Sequence, residues 1–513
     1  MLALMLLAAA LPVPGRSVAA SQHGVAASSQ PLAAQAAVQV LSRGGNAVDA
    51  AIAANAVTGV TEPMMNGIGG DLFAIVYLAR EDKVYGLNSS GWAARGMRTN
   101  APKGPDSVTV PGTVAGWAAL RDRFAKLPLA TLLAPAIWYA ENGFPVMEVT
   151  ASMWQGKRAG EVVRNPELAG SLRRIAGRGR DGFYRGETAQ AIMEAVPFMK
   201  ADDLADFEPE WVEPLHVDYR GWTVFELPPN GQGIATLEML RMMEQFPLAE
   251  WGFHSTRALH AMIEAKKLAY ADLLAYIGDP RAGPVPVAQL LAAAPGRAKL
   301  IDMRKAACSV QPTAIGAGGD TIYLSVADGE GNIVSLIQSN FSLWGSGIQP
   351  RGTGFWLQNR GALFTLKPGH INTLAGRKRP LHTLIPGFMQ KGDVRIGFGI
   401  MGGWNQAQAH AQFVADIADY GMTIQQALEA GRFTKPTFEG CDVEIESSVP
   451  AEVRAELSSL GHQLTVRPPR TDDFGFGQAV LYDRKTGVKF GASDPRHDGQ
   501  AIPVPAPYYL GER

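Results

Sequence analysis

The chain has 513 residues, enough for about three domains of ordinary size or for one long α/β domain with a large core. Hydrophobic residues make up 46% and charged residues 19%, and 57 glycines with 34 prolines fall short of collagen-like or disordered composition. Lys and Arg total 47 against 48 Asp and Glu, for a net charge of -1. Without a long block of one sign, the electrostatic footprint of a nucleic-acid or anionic-membrane binder is missing.

From the N-terminus, Leu2 to Val13 is the longest apolar stretch. It is too short to span a bilayer and has the length of the apolar region of a secretory signal, with Ser17-Val18-Ala19 as a small-residue cleavage site. No Lys or Arg precedes it, and a buried N-terminal strand has the same composition. Residues 1–20 are therefore read as a signal peptide of a periplasmic or secreted protein, with a cytoplasmic protein as the alternative. Gly44-Gly45-Asn46 precedes an Ala-rich helix, Ala47 to Val60, and Gly67-Ile68-Gly69-Gly70-Asp71 turns into a strand, Leu72 to Leu78. Apolar residues recur at helical spacing from Gly112 to Val146 and from Ser255 to Ile277, so the first 300 residues are expected to be mostly helical with a few strands.

The pattern changes near Gly316. Gly316-Ala317-Gly318-Gly319-Asp320 is a small, polar linker. Thr321 to Ala327 and Ile333 to Ser339 then read as two strands joined by the Gly-rich turn Asp328 to Asn332, a hairpin. A further strand, Val394 to Phe398, leads through Gly402-Gly403 into a helix from about Asn405 to Asp419 capped by Gly421, and Thr423 to Ala430 reads as another helix. The C-terminal third is thus sheet-rich with helices on it, and no tandem repeat is present. Two cysteines, Cys308 and Cys441, cannot supply a disulfide framework for a chain of this size, and neither sits in a Cys-x-x-Cys pair. Whether they pair is left open.

Gly397-Phe398-Gly399-Ile400-Met401-Gly402 matches the G-x-G-x-x-G pattern of dinucleotide binding. That fingerprint needs a second parallel strand ending in an acidic residue about 20 positions on, where this sequence continues as helix, so an NAD-dependent oxidoreductase is the least favoured reading. What survives is that adjacent glycines at a helix start offer unhindered backbone N–H groups to an oxyanion. No Gly-x-Ser-x-Gly elbow, P-loop or His-Glu-x-x-His motif occurs. His254 and His260 lack i,i+3 or i,i+4 spacing and read as surface or cap histidines.

Thr321 stands apart through its setting. Cutting the Asp320–Thr321 bond would place a free α-amine beside the residue's own hydroxyl. An α-amine titrates near 7.7 to 8, so a useful fraction is neutral at physiological pH and can act as general base. Nucleophile and base then share one residue, the N-terminal-threonine form of activated-nucleophile catalysis. Against this stands the ordinary role of Thr as a strand residue.

Five further motifs carry a family resemblance. Gly44-Gly45-Asn46-Ala47-Val48-Asp49-Ala50-Ala51, Asn66-Gly67-Ile68-Gly69-Gly70-Asp71, Val110-Pro111-Gly112-Thr113-Val114-Ala115-Gly116, Arg379-Pro380-Leu381 and Gly491-Ala492-Ser493-Asp494-Pro495-Arg496 resemble the gamma-glutamyltransferases, also called glutathione hydrolases, from about Gly24 to Arg496. The resemblance implies an α/β (α+β) protein, the four-layer αββα sandwich of the N-terminal-nucleophile hydrolases. It also implies a proenzyme that cuts itself into a large subunit, residues 21–320, and a small subunit, residues 321–513, which stay associated. Thr321 would be the nucleophile, Ser339 would orient it, and Gly402 with Gly403 would hold the oxyanion. No metal and no organic cofactor is required, and the partner is a small-molecule amide, glutathione-like or a dicarboxylic monoamide.

At the acyl-recognition positions the sequence departs from the family. The Arg of an Arg-Glu-x-Ala-Pro segment falls near Ser90, and the Thr-x-Asn pair reads Ser339-Asn340-Phe341. The acidic residue that holds an α-amine aligns with Leu363, and a Ser-Ser pair becomes His382-Thr383. With an acidic position gone apolar and Arg360 close by, the expected acyl donor carries a carboxylate and lacks an α-ammonium, as in glutaryl or oxamate-type amides. Arg360, His382, Thr383, Ser90 and Phe341 are the candidate substrate-binding residues. The function expected is thus that of a self-processed gamma-glutamyltransferase-family enzyme that hydrolyses or transfers gamma-glutamyl or related acyl groups through a Thr acyl-enzyme. The alternatives are an acylase or oxamate-type amidohydrolase of the same family acting on dicarboxylic monoamides and a non-catalytic scaffold, and for Arg360 a structural ion-pair role.

Overall fold

In the computed structural model, which describes residues 14–309, 320–438 and 440–507, side-chain alternation sets the layering. Successive strand residues point to opposite faces, and along Asp71–Leu78 they divide cleanly. Leu72, Ala74 and Val76 join one apolar cluster, while Phe73, Ile75 and Tyr77 join another. The same split runs along Asp320–Asp328, where Leu324 and Val326 face the first cluster and Tyr323 and Ala327 the second.

Two seven-stranded sheets result, antiparallel throughout. One runs Ala19–Ser21, Lys489–Ser493, Gly477–Asp483, Val394–Ile400, Gly387–Lys391, Trp222–Glu226 and Leu215–Tyr219. The other runs Gln500–Pro503, Gly24–Ser28, Asp320–Asp328, Ile333–Phe341, Asp71–Leu78, Lys83–Ser89 and Glu210–Val212. Phe73, Tyr77, Tyr323 and Ile337 of the second sheet pack with Phe388 and Val480 of the first to form the middle of the sandwich. Helices Pro31–Ser42, Ala47–Thr61 and Leu129–Asn142 cover the outer face of the second sheet. Helices Gly233–Met243, Thr256–Tyr276 and Gln406–Ala418 cover that of the first. This is the four-layer αββα arrangement that the resemblance implied.

Most expected elements form where the sequence places them. Asn46 caps Ala47–Thr61 with a reciprocal bond to Asp49, Ser255 caps Thr256–Tyr276, and Thr423 caps Ile424–Glu429. As expected, helix predominates over strand in the first 300 residues, and their few mostly short strands supply seven of the fourteen strands of the two sheets.

The glycines of the G-x-G-x-x-G match serve sheet packing. A Cβ on Gly399 would lie 2.5 Å from the Tyr323 ring, and one on Gly397 2.6 Å from Ile333. With both neighbours of Val394–Ile400 antiparallel, no parallel crossover for a dinucleotide exists there.

Residues Leu2 to Val13 lie outside the described residues. Just after them, the Gly15 and Arg16 amides donate to the Glu429 carboxylate at 2.6 and 2.9 Å, and Ala19–Ser21 pairs with Lys489–Ser493. Ala19, the last residue of the Ser17-Val18-Ala19 triplet, is thus paired on the sheet, and cleavage after it would remove the Gly15, Arg16 and Ala19 contacts and leave those of Ala20 and Ser21. Among the described residues no helix is long and apolar enough to cross a membrane. Cys308 and Cys441 are joined in a disulfide, with Cα atoms 4.7 Å apart.

Candidate active site

The hairpin places Thr321 at a register shift. Asp320 pairs with Phe341 and Ile322 with Gln338, so one residue, Thr321, faces two, Ser339 and Asn340. A bulge of this kind bends its strand and re-aims side chains. Ser339 pairs on its other side with Asp71, which puts Thr321, Ser339 and Asp71 on three adjacent strands. Ser339 Oγ accepts the Phe341 amide at 2.7 Å. That bond accompanies a backbone φ of 79° at Phe341, a left-handed conformation uncommon for a bulky side chain and set directly opposite Asp320. The linker Gly316 to Gly319 lies outside the described residues.

Beside the hairpin the five candidate substrate-binding residues converge on one buried polar cluster, with Asp71 at its centre. Asp71 Oδ1 accepts the amides of Gly91 and Gly112 at 3.0 and 3.1 Å, and Oδ2 lies 3.1 Å from His382 Nε2. Because His382 Nδ1 accepts the Leu384 amide, the neutral ring carries its proton on Nε2 and donates it to Asp71. Burial and the charges of Arg360 and Arg379 hold the His382 imidazole well below its ordinary range. Burial pushes the Asp71 carboxyl up to about 7, opposed by the charge of Arg360 and the two amides. Ser90 Oγ donates to Asn88 Oδ1 and accepts from Asn230 Nδ2, and Arg379 Nε donates to the Ser90 carbonyl at 2.9 Å.

Arg360 is fully buried. One terminal nitrogen donates to Thr383 Oγ1, and the guanidinium carbon lies 4.6 Å from the centre of the Phe341 ring. Its Nε and second terminal nitrogen have no hydrogen-bond partner among the described residues. Burial pulls the guanidinium down and the charge of Asp71 pulls it back. Arginine nonetheless keeps its proton in proteins, so this is a buried cation with donors to spare. Leu363, at the position that is acidic in the resembled family, packs in the same apolar cluster as Phe341 and Leu381.

Gly402 and Gly403 end the strand Val394–Ile400 with φ of 133° and 57°, and their amides donate to no other described residue. Gln232, at the N-terminus of Gly233–Met243, joins this turn to the polar cluster. Its Nε2 donates to the carbonyls of Thr383 and Gly403 at 2.6 and 2.8 Å, and its backbone N–H donates to the His382 carbonyl at 3.0 Å. Tyr270 Oη donates to the Trp404 carbonyl. Sequence reading missed Gln232, Tyr270 and the role of Asp71. The Gly-Gly-Asp ahead of a strand was the available signal for Asp71, whereas nothing local marks Gln232.

Of the two histidines set aside on spacing, His260 needs revision. His254 Nε2 donates to the Gly431 carbonyl at 2.9 Å, beside the start of helix Thr256–Tyr276. His260 is fully buried rather than at the surface, with Nδ1 2.8 Å from His462 Nε2 and Nε2 3.0 Å from the Asp302 carbonyl. With Glu264 these histidines bring three donor atoms within 4.8 Å of one another. The Lys267 ammonium already occupies Glu264 at 2.6 Å, which opposes a cation at that place.

Comparison with known proteins gives the family and the fold. The family model described as gamma-glutamyltranspeptidase matches residues 33–504. The chain is 34% identical to the glutathione hydrolase-like YwrD proenzyme of Bacillus subtilis, covering 92% of this chain and 97% of that protein. It is 33% identical to the oxamate amidohydrolase proenzyme of Klebsiella pneumoniae, covering 94% and 98%. Among solved structures, the cephalosporin acylase of Bacillus halodurans superposes with a TM-score of 0.88 at 39% identity, over 98% of this chain and all of the other.

Proposed function

Because this chain belongs to the gamma-glutamyltranspeptidase family and is an enzyme of the N-terminal-nucleophile hydrolase kind, we propose that it is an amide hydrolase for acyl donors that end in a carboxylate and lack an α-ammonium. In maturation the Thr321 hydroxyl attacks the Asp320 carbonyl, the acyl group shifts from nitrogen to oxygen, and water hydrolyses the ester, leaving Thr321 with a free α-amine. In turnover that amine takes the hydroxyl proton as the oxygen adds to the substrate carbonyl. Ser339 holds the nucleophile in line, and the amides of Gly402 and Gly403 receive the oxyanion. The amine then protonates the leaving nitrogen, and water releases the acid.

The observation that carries the substrate class is Arg360, buried with two nitrogen positions unpartnered among the described residues. A desolvated guanidinium needs an anion, and its planar fork fits a carboxylate. Phe341 and Leu363 supply apolar surface for the acyl methylenes and no charge for an α-ammonium. The names of the relatives, an oxamate amidohydrolase and a cephalosporin acylase, support the same class. The Cys308–Cys441 bond supports a periplasmic or secreted location, since disulfides persist in oxidising compartments.

The test is a side-by-side assay of glutaryl and gamma-glutamyl anilides with purified enzyme and with Thr321→Ala. Faster turnover of the glutaryl compound is expected, together with an uncut, inactive Thr321→Ala chain. Preference for the gamma-glutamyl compound overturns the substrate class, and activity in Thr321→Ala overturns the mechanism.

A further inference from the structure

We infer that the Cys308–Cys441 bond crosses the maturation cut, so that the mature enzyme is two chains held by one covalent link. This rests on scission at Asp320–Thr321 proposed above. Cys308 lies upstream of the cut and Cys441 downstream, 133 positions apart in sequence. In the uncut precursor the bond closes a loop within one chain. After scission the same bond joins the end of the large subunit to the body of the small one.

The surroundings hold both cysteines in place independently of the bond. The Ala306 amide donates to the Leu460 carbonyl at 2.8 Å, which already crosses the two future subunits. The Ala307 amide donates to Glu264 Oε2 at 3.2 Å, and Lys267 Nζ donates to the Ala307 carbonyl at 2.9 Å. Lys267 Nζ also lies 3.9 Å from Cys441 Sγ. On the other side the Cys441 carbonyl accepts the Gln463 amide at 2.7 Å, at the start of the parallel pair Asp442–Glu446 and Gln463–Arg467. Residues 306–308 are thus strapped between helix Thr256–Tyr276 of the large subunit and a sheet of the small one. A bimolecular association of two chains becomes an intramolecular one, insensitive to dilution.

Formation of the bond removes two protons and two electrons from the two thiols, and the acceptor is a disulfide. With oxidised glutathione as that acceptor, one molecule is reduced to two of glutathione for each Cys308–Cys441 bond formed. Cys308 is exposed and Cys441 buried, so exchange enters from the Cys308 side.

The experiment uses full-length protein matured in buffer with oxidised glutathione, then blocked with N-ethylmaleimide. It is run on denaturing gels with and without reductant and digested for mass mapping. The expected result is one band without reductant, two bands with it, and a cross-linked peptide pair containing Cys308 and Cys441. Cys308→Ser should give two bands under both conditions with unchanged turnover at high protein concentration. Two bands without reductant in the parent protein, or no cross-linked pair, overturn the link while the cut stands. A single band under both conditions shows that the cut itself does not occur, which overturns the inter-subunit link even where the cross-linked pair is found.

Discussion

At the residue scale the site turns on one cation. Replacing Arg360 with Met keeps the length of the side chain and removes the charge, so a substrate carboxylate loses its charge-assisted partner. Truncating such a buried pair costs about 2 to 4 kcal/mol, or roughly 30- to 1000-fold in kcat/KM for glutaryl donors. Arg360→Lys keeps the charge without the planar fork and should recover part of the loss while folding and self-cleaving normally. Equal kcat/KM in all three proteins would show that Arg360 has a structural role. The pH dependence of binding follows from Asp71, whose carboxyl titrates at about 7. Above that pH its negative charge partly cancels Arg360, and below it the cluster gains net positive charge. A carboxylate inhibitor such as glutarate, which stays ionised down to about pH 5, should therefore bind more tightly as pH falls from 8 to 6. Its uncharged diamide should not respond. An inhibition constant for glutarate that is flat or rises toward acid contradicts this coupling.

At the element scale, two strand-to-loop junctions and a helix start build the site, and they differ in how visible they are in sequence. The hairpin carrying Thr321 is legible because β-branched and aromatic residues alternate around a Gly-rich turn. Gly402 and Gly403 are legible because paired glycines ahead of a helix allow backbone conformations other residues avoid. By contrast, Gly397 and Gly399 imitate a nucleotide motif because a neighbouring sheet presses Ile333 and Tyr323 against them, which only tertiary structure reveals. The Gly491 to Arg496 motif resembles a functional signature, yet Asp494 and Arg496 are spent on a buried ion network with Arg432 and Glu446. Gln232 is invisible for the opposite reason, since its partners are carbonyls remote in sequence. Its junction predicts a split in kinetics. Tyr270→Phe removes the hydroxyl that bonds the Trp404 carbonyl beside the oxyanion turn and Gln232 Oε1 but leaves Gln232 Nε2 on Thr383 and Gly403, so kcat should fall about tenfold with KM unchanged. Gln232→Met frees both Gly403 and Thr383, so kcat should fall and KM for carboxylate donors should rise. A merely structural role for both residues would lower the unfolding midpoint and leave the two kinetic constants of the folded enzyme where they were.

At the scale of the whole molecule, the proposed cut does not fall between two separately folded bodies. Gly24–Ser28, from the large-subunit side, lies between Gln500–Pro503 and Asp320–Asp328 in one sheet. Trp222–Glu226 extends the other sheet beyond Gly387–Lys391. Neither sheet closes its hydrogen-bond ladder, and neither face of the central apolar layer is covered, without strands from both sides of residue 320. A fragment holding residues 21–320 alone would leave long strand edges and the inner faces of Phe73, Ile75 and Tyr77 open to water, the condition under which edges pair wrongly and chains aggregate. Made alone, that fragment should show no cooperative urea transition by circular dichroism. Made together with residues 321–513, whose initiating Met is removed to expose Thr321, it should assemble into enzyme that turns over substrate without any self-cleavage step. A sharp, reversible transition in the lone fragment would mean that the large subunit folds by itself. In that case scission would separate domains instead of dividing one core.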